Sequence, residues 1–309
     1  MKSIRFALGS FLFMAVFTSP SVAQLQRTFV SGLGDDGNPC SRTAPCRTFG
    51  QAISQTNAGG EVVALDSAGY GPFTISKSVT VQAPPGVYAG ISVFSGDGID
   101  INAGGSDTVV LRGLTLNYVS GLGSGIAFNT GGTLHVESCV INGFTGTQAA
   151  GVSFTGPGNL EVKDSILRRN AQGISVRTSS NTAFAAIDHT RLESNIFNGL
   201  QVMDGSKVTI RNSVTSGNGN IGFAAESSTS VSTDLNIESC LASNNAIGIL
   251  GQSNSTGVAT VRVSNSTVTD NGTGLENFGS PALILSRGNN TVEGNLENTV
   301  GTIGTYTAK

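Results

Sequence analysis

Asparagine recurs at a nearly constant interval along the second half of the chain. Successive members of the series are 25, 23, 27, 26 and 24 residues apart, and the first five are followed within four residues by a glycine and then an apolar residue. A fixed interval of this length is typical of repeat architectures, in which each repeat packs only on its neighbours. The recurring residues are Asn170, Asn195, Asn218, Asn245, Asn271 and Asn295.

A segment of alternating apolar and polar residues precedes each asparagine. Two examples are LEVKDSIL from Leu160 and VTIRNSVT from Val208. Alternation predicts a half-buried β-strand. Hairpins would show two-residue turns at shorter, irregular spacing, and leucine-rich repeats would add a helical half. The sequence therefore predicts an all-β fold, a single-stranded right-handed parallel β-helix (a solenoid) of roughly ten coils.

The asparagines have two expected structural roles and no catalytic one. At a sharp turn they should adopt the left-handed backbone conformation, which asparagine and glycine tolerate best. Stacked coil over coil, they should also hydrogen-bond to their equivalents above and below. One repeat earlier, Phe144 occupies the same slot.

The same alignment predicts which side chains point inward. The expected aliphatic row is Val136, Val162, Ile187, Ile210, Ile237 and Val263. The expected row of small residues is Cys139, Ser165, Thr190, Ser213, Cys240 and Ser266. Its two cysteines are four coils apart, which at about 4.8 Å per coil is roughly 19 Å and too far for a disulfide. They should be buried free thiols, whereas Cys40 and Cys46 lie close together in one loop and are predicted to pair.

The chain begins with the pattern of a secretory signal peptide, predicted over residues 1–23. Lys2 and Arg5 precede the apolar run Phe6–Phe17, and Ser21-Val22-Ala23 offers the small residues of a cleavage site. A membrane anchor is the alternative, but about 12 apolar residues are too few to span a bilayer. The expected location is therefore secreted, periplasmic or in the cell envelope, with no membrane span.

A cap is expected before the first coil, because an open solenoid end would pair with other chains. Phe49, Ala52 and Ile53 have helical spacing, with Thr48 as the N-cap. We therefore predict an N-terminal loop and capping helix over residues 24–60 and the parallel β-helix over residues 61–309.

A family resemblance lies in the segment from Thr28 to Val81. Its features, in order, are Phe29-Val30-Ser31, Gly34-Asp35-Asp36-Gly37-Asn38-Pro39, Pro45-Cys46-Arg47-Thr48-Phe49, Gly59-Gly60-Glu61-Val62 and Gly69-Tyr70-Gly71-Pro72-Phe73. This order resembles the N-terminal segment of the pectate-lyase-like superfamily of secreted β-helix proteins, and the later coils resemble its generic repeat. The resemblance implies the fold and no single activity, since that superfamily includes polysaccharide lyases, glycoside hydrolases, esterases and adhesins.

One outward row, which we call the charge row, alternates in sign from coil to coil. It consists of Arg112, Glu137, Lys163, Asp188, Arg211, Glu238 and Ser264. The simpler interpretation is a surface ion-pair ladder that sets register. The alternative is a lyase site, in which Lys163, Asp188 and Arg211 supply a base, a carboxylate and a cation, with Glu137, His189 and Glu238 as neighbouring binding residues. A lysine paired with carboxylates on both sides should stay protonated, which argues against Lys163 as the base.

Other sites have weaker support. Asp35 and Asp36 could bind Ca²⁺, although an Asx-rich turn is the simpler interpretation. His135 and His189 are too isolated for a metal cage, so no metal site and no other cofactor is predicted. The chain has no tryptophan, and many of its phenylalanines are expected to stack in the core, which weakens the case for a dedicated sugar cleft. The phenylalanines assigned to the core are Phe128, Phe154, Phe184 and Phe223.

The net charge of the chain and the absence of known catalytic signatures reduce the number of functions to consider. The net charge of −3 comes without a basic stripe, so nucleic acid is an unlikely partner. The expected function is binding of extracellular or cell-surface polysaccharide, or a surface adhesion or structural role, without catalysis. The alternative is a lyase or glycoside hydrolase acting on an acidic polysaccharide. The galacturonan-hydrolase and pectin-esterase signatures are absent from the sequence, and the sequence does not indicate an oligomeric state.

Overall fold

The computed structural model describes residues 25–178 and 182–307. The predicted signal peptide, residues 1–23, lies outside the described residues. Within them the chain winds through three parallel sheets, here named A, B and C in the order in which each coil visits them, with 12, 10 and 10 strands. The predicted β-helix is confirmed, because each strand pairs in parallel with its equivalent one coil later.

The strands of each sheet follow at intervals of about one coil. Sheet A consists of Leu25–Val30, Thr56–Ala64, Val79–Gln82, Thr108–Arg112, Thr133–Glu137, Gly158–Lys163, Ala183–Asp188, Ser206–Arg211, Thr233–Glu238, Ala259–Ser264, Leu283–Ser286 and Ile303–Thr305. Sheet B consists of Ala68–Gly69, Ala89–Val93, Leu114–Tyr118, Val140–Asn142, Ile166–Arg168, Arg191–Glu193, Val214–Ser216, Leu241–Ser243, Thr267–Thr269 and Thr291–Val292. Sheet C consists of Phe73–Ile75, Ile99–Asn102, Ile126–Thr130, Ala150–Phe154, Gln172–Val176, Leu200–Met203, Ile221–Ser227, Ile247–Ser253, Thr273–Phe278 and Glu297–Val300.

The interior is filled by rows of stacked apolar side chains, as alternation predicts. Val136 pairs with Val162, Val162 with Ile187, and Ile187 with Ile210, and all four are buried. The rings of Phe128 and Phe154 stack 4.1 Å apart. The small-residue row is also buried, and Cys139 and Cys240 are free thiols within it. Stacking like on like lets the side chains of successive coils pack closely.

The recurring asparagines form a continuous hydrogen-bonded stack at the corner between sheets B and C, which we call the asparagine ladder. The backbone N–H of Asn195 donates to Oδ1 of Asn218 at 3.0 Å, and its Nδ2 donates to the same oxygen at 2.9 Å. The backbone bond recurs from Asn170 through Asn271. Phe144 takes the slot before the ladder and donates its N–H to Oδ1 of Asn170 at 3.1 Å. Each bond joins one coil to the next.

The left-handed residue at this corner is the one before each ladder asparagine, so that part of the prediction was wrong. The residues with positive φ are Arg169, Ser194, Gly217, Asn244, Asp270 and Gly294. They are exposed, whereas the first five ladder asparagines are almost wholly buried. The reversal of the chain is made at the surface because the following asparagine must turn its amide inward to reach the next coil.

The glycine that follows the ladder is required by close approach of the coils. A Cβ on Gly199 would lie 2.7 Å from the carbonyl oxygen of Gly222, and one on Gly173 would lie 2.4 Å from that of Gly199. Such contacts are well inside van der Waals distance. The repeated spacing from asparagine to glycine therefore reflects two requirements of this corner: the hydrogen bonds of the asparagine side chain and the close approach of the coils at the glycine.

A helix covers the first coil, as predicted. It spans Phe49–Gln55, and the Thr48 side chain caps it by accepting a hydrogen bond from the N–H of Gln51. Phe49 is buried with its ring 4.9 Å from that of Tyr70. The loop before the helix contains a disulfide between Cys40 and Cys46, whose Cα atoms are 4.6 Å apart.

The ends of sheet A differ from the expected boundaries. Leu25–Val30 is a strand that pairs with Thr56–Ala64, which itself begins directly after the helix. Residues 56–60, which were expected to end the capping helix, instead form the first half of this strand. At the other end, Glu297–Val300 and Ile303–Thr305 form a final partial coil. Among the helices of the described residues, none has the length and apolar character needed to cross a membrane.

Candidate functional site

The charge row lies on the outer face of sheet A in the predicted register. Glu137 pairs with Lys163, Lys163 with Asp188, Asp188 with Arg211, and Arg211 with Glu238. Successive strands of a sheet are about 4.8 Å apart. The proposed catalytic and binding residues of this row therefore lie on neighbouring coils of one surface.

The expected ladder, with every charge held between two opposite charges, does not form. Arg112 Nε lies 2.7 Å from Glu137 Oε2, and Arg211 Nη2 lies 3.0 Å from Asp188 Oδ2. Lys163 makes no ion pair with any described residue. Arg112 and Arg211 each bond one carboxylate that also neighbours Lys163, because a planar guanidinium bonds a carboxylate more readily than an ammonium group does. The premise that Lys163 is paired on both sides was therefore wrong.

Asp188 is the most fully bonded member of the row. Its carboxylate accepts from Arg211 Nη2 at 3.0 Å and from Asn212 Nδ2 at 3.0 Å, and His189 Nδ1 lies 2.8 Å from its Oδ1. Burial alone would raise the pKa of Asp188, but the Asn212 bond and the charges of Arg211 and His189 outweigh burial and lower it. This side chain is therefore an ionised carboxylate in fixed position and not a proton donor.

Two adjoining depressions of about 330 and 430 Å³ lie on this face, and we call them together the groove. Both are lined by Glu161, Ala186 and Thr209, which stand opposite one another on three successive strands. Ala186 and Thr209 have small side chains and form the floor. The charge row forms one wall, and the outward residues four positions earlier on the same strands form the other.

Phe184 belongs to that second wall, and its assignment to the core was wrong. It is 48% exposed, whereas Phe128, Phe154 and Phe223 are fully buried as predicted. Ile187 faces inward, so strict alternation along the strand turns Phe184 outward. Its aromatic ring lines the first depression together with Asn159 and Lys207.

The groove has two lysines without a carboxylate partner. The arginines on the outer face of sheet A with a carboxylate partner are Arg27, Arg112, Arg211 and Arg262. Lys163 and Lys207 make no ion pair within the part of the chain that the structure describes. They line opposite walls and lie on strands two coils apart. Their charges are the ones available to a ligand.

The two aspartates of the N-terminal loop, Asp35 and Asp36, bond to the loop itself and to the start of the capping helix. Oδ1 of Asp36 accepts from the N–H groups of Arg47 and Thr48, at 2.8 and 2.9 Å, and Asp35 accepts from Gly37 in an Asx turn. Within residues 25–178 and 182–307, no three His, Cys, Asp or Glu side chains form a group that could hold a metal ion. The geometry of this loop fits the Asx turn.

A family model described as "Right handed beta helix region" matches residues 97–229 and 181–296. These overlapping matches cover well over half of the chain. The chain belongs to the right-handed β-helix family. For this β-helix protein, a comparison with curated proteins gives no match.

Solved structures of similar fold are known. Pectate lyase Pel9A is 17% identical, with a TM-score of 0.57 over 93% of this chain and 78% of its own. An alginate lyase from Paenibacillus sp. str. FPU-7 is 14% identical, with a TM-score of 0.63 over 91% of this chain and 99% of its own. A rhamnogalacturonan lyase is 13% identical, with a TM-score of 0.54 over 91% and 86%. These TM-scores show that the β-helix protein shares their fold, and at identities this low they show the fold alone.

Proposed function

We propose that this β-helix protein is secreted and binds an extracellular or cell-surface polysaccharide along the groove of sheet A, without catalysis. The observation that carries the proposal is the half-exposed ring of Phe184 beside the small floor residues Ala186 and Thr209. The apolar face of a pyranose stacks on an aromatic ring, while its hydroxyl groups need polar partners. Asn159 and Lys207 offer such partners beside the ring.

The shape of the surface suits an extended polymer. The floor continues across neighbouring coils, since Glu161, Ala186, Thr209 and Asn236 stand in register on successive strands. Stacked repeats present long surfaces of this kind. The solved structures of similar fold support the same ligand class, because their names identify them as lyases of pectate, alginate and rhamnogalacturonan.

The proposal is tested by affinity electrophoresis of the purified protein in gels containing polygalacturonate, alginate, dextran sulfate or dextran. Phe184→Ala should weaken binding about fivefold, because an aromatic stack contributes roughly 1 kcal/mol and about 1.4 kcal/mol corresponds to a factor of ten. Phe278→Ala is the matched control, since Phe278 is 54% exposed but lies on sheet C. Equal retardation of wild type and Phe184→Ala in every gel would refute the site.

A second candidate is a lyase acting on an acidic polysaccharide. The observation in its favour is the unpaired amine of Lys163 beside the groove, which removes one objection to that residue as a base. A lyase would produce ultraviolet absorbance from unsaturated uronates, and Lys163→Ala would abolish it. If binding occurs while the absorbance stays flat with polygalacturonate and alginate, the non-catalytic proposal stands.

A further inference from the structure

Both histidines of the chain lie next to the groove, each with its Nδ1 within ion-pair distance of a carboxylate that lines it. His135 Nδ1 lies 3.1 Å from Glu161 Oε2, and His189 Nδ1 lies 2.8 Å from Asp188 Oδ1. The two carboxylates line the groove on neighbouring coils. The chain has only two histidines, so their shared placement concentrates its imidazole groups on one surface.

The surroundings of His135 are weakly charged apart from Glu161. On the preceding strand it faces Val110, and on the following strand Glu161. The nearest acid on its own strand, Glu137, is already paired with Arg112. Its side chain is a quarter exposed. A proton added to His135 is therefore balanced first by the carboxylate of Glu161.

His189 stands at the corner between sheets A and B, where it is 58% exposed. Asp164 and Asn212 hold the equivalent left-handed corner positions of the adjacent coils, following the paired residues Lys163 and Arg211. Arg211 is engaged with Asp188. The charged groups around His189 are thus Asp188, which precedes it in the chain, Asp164 at the same corner of the preceding coil, and Lys163 and Arg211 on the strands of the two adjacent coils.

The charged lining of the groove is balanced when both imidazoles are neutral. Three carboxylates, Glu161, Asp188 and Glu238, stand against three cations, Lys163, Lys207 and Arg211. Protonation of both histidines adds two positive charges beside two of the carboxylates. It also adds an N–H donor at each Nε2, which a ligand anion can accept.

We propose that the groove takes a polyanionic polysaccharide and that protonation of His135 and His189 strengthens its binding as the pH falls. The inference rests on the proposed function. Neutral imidazoles leave Glu161 without a cationic partner, whereas an imidazolium at His135 neutralises it and one at His189 adds positive charge beside the ion pair of Asp188 and Arg211. Binding favours the protonated form, so affinity rises as the pH falls.

The test measures dissociation constants for dextran sulfate and dextran at about pH 5.5 and about pH 8, on either side of the imidazole range. The two polymers share a backbone, and sulfate keeps its charge across this interval. Polygalacturonate and alginate are measured in parallel as carboxylate polymers. At low salt we expect about fivefold tighter binding of the anionic polymers at the lower pH, fading as salt screens the charges.

The variants are His135→Gln, His189→Asn and both together. Asparagine occupies the same left-handed corner at Asn212 and Asn265, so His189→Asn keeps the backbone conformation. In the double variant the ratio of affinities at the two pH values should fall close to one. Thermal melting of each variant at both pH values checks that the fold is intact.

The outcomes separate the two proposals. Equal affinities of wild type at the two pH values, or the same pH dependence in the double variant, would overturn the histidine mechanism. Dextran bound as tightly as dextran sulfate would overturn the polyanion while leaving polysaccharide binding in place. No binding of any of the four polymers at either pH would overturn the proposed function, and this inference with it.

Discussion

Removal of one ladder amide, by Asn218→Ala, is the sharpest test of how the coils are held together. Asn218 is 2% exposed. Its Oδ1 accepts from both the backbone N–H and Nδ2 of Asn195, at 3.0 and 2.9 Å. Its Nδ2 donates to the carbonyl of Leu192 at 3.1 Å and to Oδ1 of Asn245 at 2.9 Å. One side chain therefore joins three successive coils.

The size of the effect follows from the groups left behind. Alanine would leave the N–H of Asn195 buried without an acceptor, and the Leu192 carbonyl would lose a donor. An unsatisfied buried polar group costs about 1–3 kcal/mol, so we expect a loss of roughly 3–5 kcal/mol in the free energy of unfolding. Backbone strain adds nothing, because the left-handed residue at this corner is Gly217.

Guanidinium unfolding followed by circular dichroism measures this difference. The matched control is Asn220→Ala, two residues away, since Asn220 is exposed and its side chain makes no hydrogen bond within the described residues. Such a surface substitution should change stability by no more than about 0.5 kcal/mol. If the two variants unfold at the same denaturant concentration, the ladder does not stabilise the coils in the way argued.

Three further predictions concern the corners, the core and the cap. Gly217→Ala, which adds a Cβ in ordinary van der Waals contact with Ser194 at φ 66°, should lower the free energy of unfolding by about 1–2 kcal/mol in the same denaturation assay. Burial raises the pKa of the Cys139 and Cys240 thiols to about 12 and about 11, so a thiol reagent near pH 8 should label neither until denaturant is added. Burial alone would raise the pKa of Asp66, but hydrogen bonds from Ser31, Tyr70 and Gly32 lower it. The ionised Asp66 should therefore stabilise the fold fully above the ordinary aspartate pKa of about 3.9, and this contribution should be lost as the pH falls below that value. Melting curves of Asp66→Asn should lack this loss.

The inward half of the fold could be predicted from the period alone. An inward residue such as Val162 packs on Val136 below and on Ile187 above, so the repeat restricts it from both sides. The ladder asparagines are restricted in the same way by hydrogen bonds. The backbone conformation at the corner was predicted one residue out of place, because spacing shows where a turn lies but not which residue makes the reversal.

Side-chain pairing on the outer face could not be predicted in the same way. Register places Lys163 between Glu137 and Asp188. Each carboxylate nevertheless bonds an arginine on its other side. The period fixes which residues are neighbours, whereas the competition between a guanidinium and an ammonium for one carboxylate depends on local geometry.

Outward positions contain functional information because the repeat does not constrain them. One inward position of sheet A is apolar in five successive coils, at Leu134, Leu160, Ala185, Val208 and Leu235. The outward position just before it changes chemistry in every coil, at Thr133, Asn159, Phe184, Lys207 and Asp234. Stacking cannot explain an aromatic ring and an unpaired lysine there, since both face solvent. The proposed polysaccharide, which would span several coils, accounts for both, because it would contact each outward residue separately and leave the row beneath unchanged.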